Sequence, residues 1–262
     1  MTALRQLLQF RAALSRSAEF VIGLAAAVAL VALWELAARS GFANAKFLPP
    51  PSAVIAAAGD MIAHQKFLWH AWISTLRVWA AFLLAALMAV PIGMLMSSYR
   101  VVGAALEPTI DFIRYLPVPA LVPLSIIWFG IGETTKIFLL WLGTFFQLVL
   151  MVADSTRRVP AEYIETAATL GLNPRQIMTT VSFRAMLPEL VDSLRITLGW
   201  CWTYLIIAEI VAADSGIGFV IWTARRYIKT PEVMAGVVAI GVIGLLTDQL
   251  LRLAHRRWFR YL

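Results

Sequence analysis

Charge is scarce in this sequence: Asp, Glu, Lys and Arg make up 14% of its 262 residues, against roughly 25% in an ordinary soluble domain. With 61% hydrophobic residues and a mean hydropathy of +0.79, the chain lacks the polar surface a water-soluble globule needs, and lipid is its solvent. Cysteine is almost missing. The single Cys201 excludes an intramolecular disulfide and leaves no thiol pair at metal-ligand spacing. Histidine is equally sparse, and His64, His70 and His255 have no paired carboxylate or nucleophile-base constellation beside them, which argues against a membrane-embedded enzyme. No G-x-x-x-x-G-K-[ST] phosphate loop occurs, so nucleotide chemistry has no seat here. Acidic residues are outnumbered by basic ones, giving a net charge of +7. The basic residues fall in short clusters between apolar runs, which is the pattern of cytoplasmic loops and not of a nucleic-acid-binding stripe.

What is present is a series of six apolar stretches, at about 19–38, 72–97, 104–131, 135–153, 190–212 and 233–253. Each has the roughly 20 residues a spanning helix needs, and little is left over for a soluble domain. The fold expected is therefore an all-α integral membrane protein with six transmembrane helices. A cytoplasmic N-terminal segment 1–18 precedes a single transmembrane domain 19–253, and a basic cytoplasmic tail 254–262 follows it. Arg5, Arg11 and Arg16 ahead of the run from Phe20 to Trp34 resemble a signal peptide, but Glu35 and Arg39 end that run without a small-residue cleavage site, so it reads as a retained first helix. With the N-terminus inside, thirteen basic residues lie on the inner side, and eight (Arg39, Lys46, Lys66, Arg77, Lys136, Arg225, Arg226 and Lys229) on the outer. That asymmetry places both termini in the cytoplasm.

Phe47-Leu48-Pro49-Pro50-Pro51-Ser52 is a stiff extended stretch, followed by an Ala-rich segment 53–66 that reads as a surface helix or a plain spacer. Pro117, Pro119 and Pro123 crowd the third run and must interrupt its backbone ladder. Backbone freed at membrane depth is tolerated only against protein or a water-filled cavity, so these prolines and Arg114 are candidates for a translocation pathway, with kinking for packing the plainer reading. Charges within spans are costly and mark function by default. Glu107, Asp111 and Arg114 share a helical face and can neutralise one another as an interfacial cluster. Glu209, near the outer end of the fifth run, either snorkels, pairs with an arginine or faces the pathway. Trp200, Trp202 and Tyr204 read as lipid-facing or interhelical packing, or as an aromatic gate.

The connection from Asp154 to Leu190 is too polar to span, yet it carries helix signals. Gly171 suits a C-terminal cap after Pro160–Leu170, while Asn173 as N-cap with Pro174 at the first position starts a second helix. Both ends are tied to spans, so this pair of helices reads as a protein-docking knob and not as a DNA-binding motif. Glu165, Thr166, Ala167 and Gly171, then Val181, Ser182, Phe183 and Arg184, fall on the E-A-A, three residues, G, nine residues, I-x-L-P pattern of the binding-protein-dependent ABC importer permeases. Thr166 stands for the first Ala and Arg184 for the Pro, with Leu187-Pro188 supplying a similar break four residues on. Leu48-Pro49-Pro50-Pro51, Ser74-Thr75-Leu76-Arg77-Val78, Trp128-Phe129-Gly130-Ile131-Gly132-Glu133, Ala208-Glu209, Ser215-Gly216-Ile217-Gly218 and Gly241 to Asp248 further resemble the nitrate, sulfonate and taurine class of those permeases.

The resemblance implies a homodimer of this chain in a bacterial cytoplasmic (inner) membrane and two cytoplasmic ATPase subunits that carry ATP and Mg. A periplasmic or lipid-anchored binding protein would deliver cargo. It also implies a coupling helix between the fourth and fifth spans, with contacts at Glu165, Thr166, Ala167, Gly171, Leu172 and Asn173. No cofactor and no enzymatic activity are expected in the chain itself. Arg114, Pro117, Pro119, Pro123 and Glu209 are the pathway candidates, and a small anion such as nitrate, a sulfonate, taurine or bicarbonate is the expected cargo. An importer for a non-anionic metabolite such as a pyrimidine precursor, or an ion-coupled secondary transporter, remains open on these residues. The inverted repeats and central acidic residues of a secondary transporter are not evident. For the topology, Arg175→Cys in a Cys201→Ser background is expected to react with an impermeant thiol reagent only from the cytoplasmic side. Labelling from outside in intact cells overturns the assignment.

Overall fold

The structure, a computed structural model, describes residues 15–41, 44, 46–212 and 214–258. Helices carry almost all of it, and no strand forms among the described residues, as expected where backbone groups must satisfy one another without water. Five helices are long and apolar enough to cross a membrane, or six when one bent pair is counted as a single span. The all-α membrane architecture expected from the sequence is thus observed. Arg5 and Arg11 of the N-terminal segment and Arg260 of the tail lie outside the described residues.

Helix α1 (Arg16–Arg39) starts where the Ser15 side chain accepts from Ala18 N at 3.2 Å. Its most apolar window has no buried residue, so it meets the rest only near its end. There Glu35 accepts from Ser52 N at 3.1 Å and Oγ at 2.8 Å. Ser52 belongs to α2 (Pro51–His64), which begins with Pro at its first position after an extended Pro50. This segment is a helix and not a plain spacer, and Val54 and Met61 bury one face of it against the final helix.

The core is made by α3 (Phe67–Ser98), α6 (Glu133–Arg157) and α9 (Phe183–Ala212). Small residues let these helices approach, the packing device suited to lipid, where hydrophobic burial between spans contributes little. A Cβ on Gly93 of α3 would lie 2.6 Å from the Val149 carbonyl oxygen of α6, and Gly143 of α6 receives the Tyr204 ring of α9. One buried cluster, with Val78, Phe82, Leu140, Leu198 and Leu205, fills one half of the bundle, and a second, with Ala85, Ala89, Leu148, Val152 and Met186, fills the other.

Between α3 and α6 the chain does break. Helix α4 (Arg100–Arg114) ends ahead of Pro117, a 3-10 turn (Val118–Leu121) follows, and α5 (Val122–Phe129) departs at 91°. Pro117, Pro119 and Pro123 cannot donate to an α-ladder, and clustered here they make this bend. After α6 comes α7 (Ala161–Thr169), closed by Gly171 at φ +85° with Leu172 N donating to Ala167 O and Gly171 N to Ala168 O. These paired bonds are a Schellman cap. Asn173 then opens α8 (Pro174–Gln176) with a capping box closed by Gln176. A π-helical turn (Ile177–Ser182) leads into α9. Pro188 sits inside α9 and does not end it, so the break expected there is absent. The first turn of α10 (Ile217–Arg226) abuts the α3–α9 contact, and α11 (Thr230–Trp258) covers α2, α9 and α10.

Candidate functional site

Three features stand out against the apolar bundle: an ion lattice at one end, a capped helix pair at the other, and between them a mostly apolar cavity that carries a few polar groups. The lattice centres on Arg77, a residue 3% exposed on α3. Its guanidinium grips Glu133 of α6 with two bonds, Nε to Oε2 at 2.6 Å and Nη2 to Oε1 at 2.5 Å. Nη1 donates to Glu209 Oε1 of α9 at 2.6 Å and to Ser215 O at 2.7 Å. Glu209 is 1% exposed and takes further bonds from Gly218 N at 2.7 Å and Ser74 Oγ at 2.8 Å. Ser74 Oγ in turn accepts from Ile217 N at 2.8 Å, and His70 Nδ1 accepts from Gly216 N at 3.1 Å. Lys136 Nζ donates to Glu133 at 2.8 Å and lies 3.8 Å from Asp214.

Two cations and two carboxylates therefore cancel at the centre of the lattice, and nearly every lone pair facing inward is used, the condition under which buried ions are tolerated. Outside the spans, its own backbone amide, the Ser215 hydroxyl and Lys136 hold the Asp214 carboxyl below the usual carboxylate range. Gly216, at φ +110°, is required, because a Cβ there would run into the Glu209 carboxylate. Lys136 and Arg77, counted above among the charges of the outer side, are buried members of this lattice. Nor does Glu209 snorkel, since its partner is Arg77.

At the opposite end, Arg157 of α6 holds Glu107 of α4 with two bonds at 2.7 and 3.1 Å. Arg195 of α9 holds Asp248 of α11 at 2.9 and 3.3 Å. The expected Glu107–Asp111–Arg114 cluster is thus divided. Among the described residues Arg114 makes its ion pair with Asp111, at 3.0 Å, and stacks over its neighbour Tyr115, while Glu107 is drawn to Arg157 because α6 crosses α4 at that level.

Between the two ends lies a cavity of about 240 Å3, lined by Arg114, Gln147, Trp200, Thr203 and Tyr204 together with apolar residues of the helix break and of α6. Leu116, Val118 and Leu121 line it, but Pro117, Pro119 and Pro123 do not, and neither does Glu209. The prolines bend the chain to form the cavity wall without presenting themselves to it. Gln147 and Thr203 went unnoticed in the sequence. Their signal was a polar residue in mid-span, here a carboxamide within Phe145-Phe146-Gln147-Leu148 and a hydroxyl within Trp202-Thr203-Tyr204. Trp202 is a packing residue, its Nε1 donating to Thr247 Oγ1 at 3.1 Å, whereas Trp200 and Tyr204 border the cavity.

Residues 81–260 match the family described as the binding-protein-dependent transport system inner membrane component. The chain belongs to this family. It is an ABC importer permease subunit of the sulfonate, taurine and bicarbonate type. It is 34% identical to the taurine transport system permease protein of Escherichia coli (strain K12), over 95% of this chain and 92% of that one. With the putative aliphatic sulfonates transport permease protein of Bacillus subtilis (strain 168) it shares 32% identity over 91% and 87%. The bicarbonate transport system permease protein of Synechococcus elongatus is 30% identical over 69% and 66%. In fold the chain is similar to a chain of the MetNI methionine ABC transporter in inward-facing conformations, with TM-score 0.61 and 20% identity, covering 74% of this chain and 95% of that one.

In this permease the segments that carried the resemblance are not independent. Ser74 and Arg77, Glu133, Glu209, and Ser215 to Gly218 come from four separate stretches and meet in the one lattice. Removing one member of a buried ion pair strands its partner and costs about 3–5 kcal/mol. Arg77→Met and Glu209→Gln are each expected to lower the unfolding midpoint in detergent. The double variant should lose clearly less than the two losses added. Additive losses would mean that the two residues act separately.

Proposed function

We propose that this permease forms half of a two-protomer pathway through the bacterial inner membrane, driven by two cytoplasmic ATPases and loaded from outside by a separate binding protein. Both termini and the α7–α8 loop face the cytoplasm in this reading. The observation that carries it is the surface of α7. Tyr163, Ile164 and Leu170 are exposed on a helix that lies beyond the spans, and apolar side chains gathered there call for a protein partner. Glu165, Thr166, Ala167, Gly171, Leu172 and Asn173 form the body and the capped end of this element, held rigidly enough by the Schellman cap and capping box to transmit a displacement. The π-helical turn behind α8 runs directly into α9, so motion of the docked helix is passed to a core span.

Closure of the ATPases on ATP would move both α7 helices and bias the pathway toward its outward-open form, and hydrolysis would release it. A permease of this kind is a two-state element biased from below by nucleotide and from above by the loaded binding protein. The cargo in this reading is a small anion of the kind named for the relatives. Arg114 at the helix break supports it, since one guanidinium faces a pathway otherwise almost free of charge. Arg114 in the cavity wall also supports a second protomer, because its charge left facing lipid near the bilayer centre would cost roughly 2.5–3.5 kcal/mol.

Gly171→Val places a β-branched residue at a positive φ and should unwind the cap, and Glu165→Lys reverses a charge on the exposed face. Both variants are expected to reach the membrane at normal abundance, to co-purify with less ATPase, and to lose most uptake in proteoliposomes. Full ATPase association and normal uptake in both would refute the docking role of α7.

A further inference from the structure

The cavity lies at mid-depth. At 1.5 Å per residue, Gln147 is about 21 Å from Glu133 along α6, and Tyr204 about 12 Å from the end of α9. A lipid headgroup does not reach this level of a core about 30 Å thick. Yet the polar groups here are under-used. Arg114 spends Nη2 on Asp111 and on the Tyr115 hydroxyl at 3.1 Å, and its Nε and Nη1 meet no acceptor among the described residues. The Gln147 carboxamide and the Tyr204 hydroxyl make no hydrogen bond among the described residues. Tyr204 can lie along α6 only because position 143 is glycine, since a Cβ there would meet the ring at 2.5 Å.

A polar group without a partner at this depth costs free energy unless something passing supplies the bond. Unlike Asp111, whose charge is already committed to Arg114, the unpartnered groups are predominantly donors. We propose that the cavity is a transit subsite for an oxyanion headgroup of the sulfonate type. The Nε and Nη1 edge of Arg114, the carboxamide N–H of Gln147 and the hydroxyl of Tyr204 donate to its oxygens, and Trp200 walls the alkyl part. Asp111 offsets part of the Arg114 charge, which keeps the stop shallow enough for release, the condition for conduction through any selective pore. The volume of about 240 Å3 is below the 300–1,000 Å3 of sites for drug-sized ligands and suits a short-chain solute.

This subsite rests on the importer reading and on its anionic cargo, and two measurements keep the failures apart. In the first, Thr203→Cys in a Cys201→Ser background is reacted, in the complex with its ATPases, with a sulfonatoethyl and with a trimethylammonioethyl methanethiosulfonate. The sulfonate reagent is expected to react faster relative to its rate with a free thiol, and Arg114→Gln to reduce that preference about tenfold, the loss of one charge-assisted hydrogen bond. A charge preference that Arg114→Gln leaves unchanged overturns the subsite whatever the cargo is. In the second, uptake of taurine, ethanesulfonate, nitrate and bicarbonate per ATP hydrolysed is measured in proteoliposomes with the binding protein. Gln147→Glu and Tyr204→Phe, both close in shape to the originals, should lower that ratio for the transported species while ATPase assembly stays intact. An unchanged ratio in both variants rejects the subsite alone. A wild-type complex that carries none of the four rejects the anionic cargo and the subsite together.

Discussion

The pairing of Arg77 with Glu209 and Glu133 is the constraint on which the rest of this bundle depends. In lipid, apolar contact between spans contributes little specificity, because one aliphatic surface fits another about as well as it fits an acyl chain. Polar groups that must find each other are what fix register. Arg77 reaches α6, α9 and the Ser215 turn at once, and Ser74 and Gly218 complete the Glu209 carboxylate. A slip of one residue in any of these elements would strand a buried charge. The small residues at Gly93 and Gly143 then determine how closely the same three helices settle once their register is set.

The bundle is rigid at that end and offers unsatisfied chemistry elsewhere. The proline cluster uses helix geometry in a different way, turning the chain by 91° so that a side wall opens where a straight helix would have closed it. Arg114 sits at the last turn before the bend, and mid-span residues of α6 and α9 supply the remaining polar groups. At the far end, Arg157 ties the middle of α4 to α6 and Arg195 ties α9 to α11, both below the cavity, so the helices that carry the cavity are also bound to the end from which α7 projects.

Much of this was legible in the residues. Apolar run lengths yield five of the six expected spans directly, because bilayer thickness and helix rise leave little freedom there, and the sixth is the bent pair of α4 and α5. The cap at Gly171 and the start at Asn173 could be placed because each depends on neighbours within four residues. The bend at Pro117–Pro123 followed from proline's missing donor. Only the local part of the ion pairing was legible: Asp111 and Arg114 do pair, and an arginine was among the expectations for Glu209. Which arginine, and the partner of Glu107, were not, since Arg77 was counted among the outer charges and Glu107 was matched to Arg114 by proximity along one helix.

By itself, then, the sequence determined the solvent, the long apolar helices, the bend at Pro117–Pro123, the caps at Gly171 and Asn173 and the family, all of which rest on local composition and short-range backbone chemistry. The absence of the break expected at Pro188 and the helix Ile217–Arg226 were decided by packing. Only the tertiary structure decided which charges neutralise which, and which polar residues are left over to line a cavity. Arg77 finds Glu209 across 132 positions of chain, and Gln147 joins Arg114 and Tyr204 only when three helices are packed. Such meetings are set by crossing angle and depth, quantities that emerge when small residues and proline bends are satisfied together and that no single segment contains.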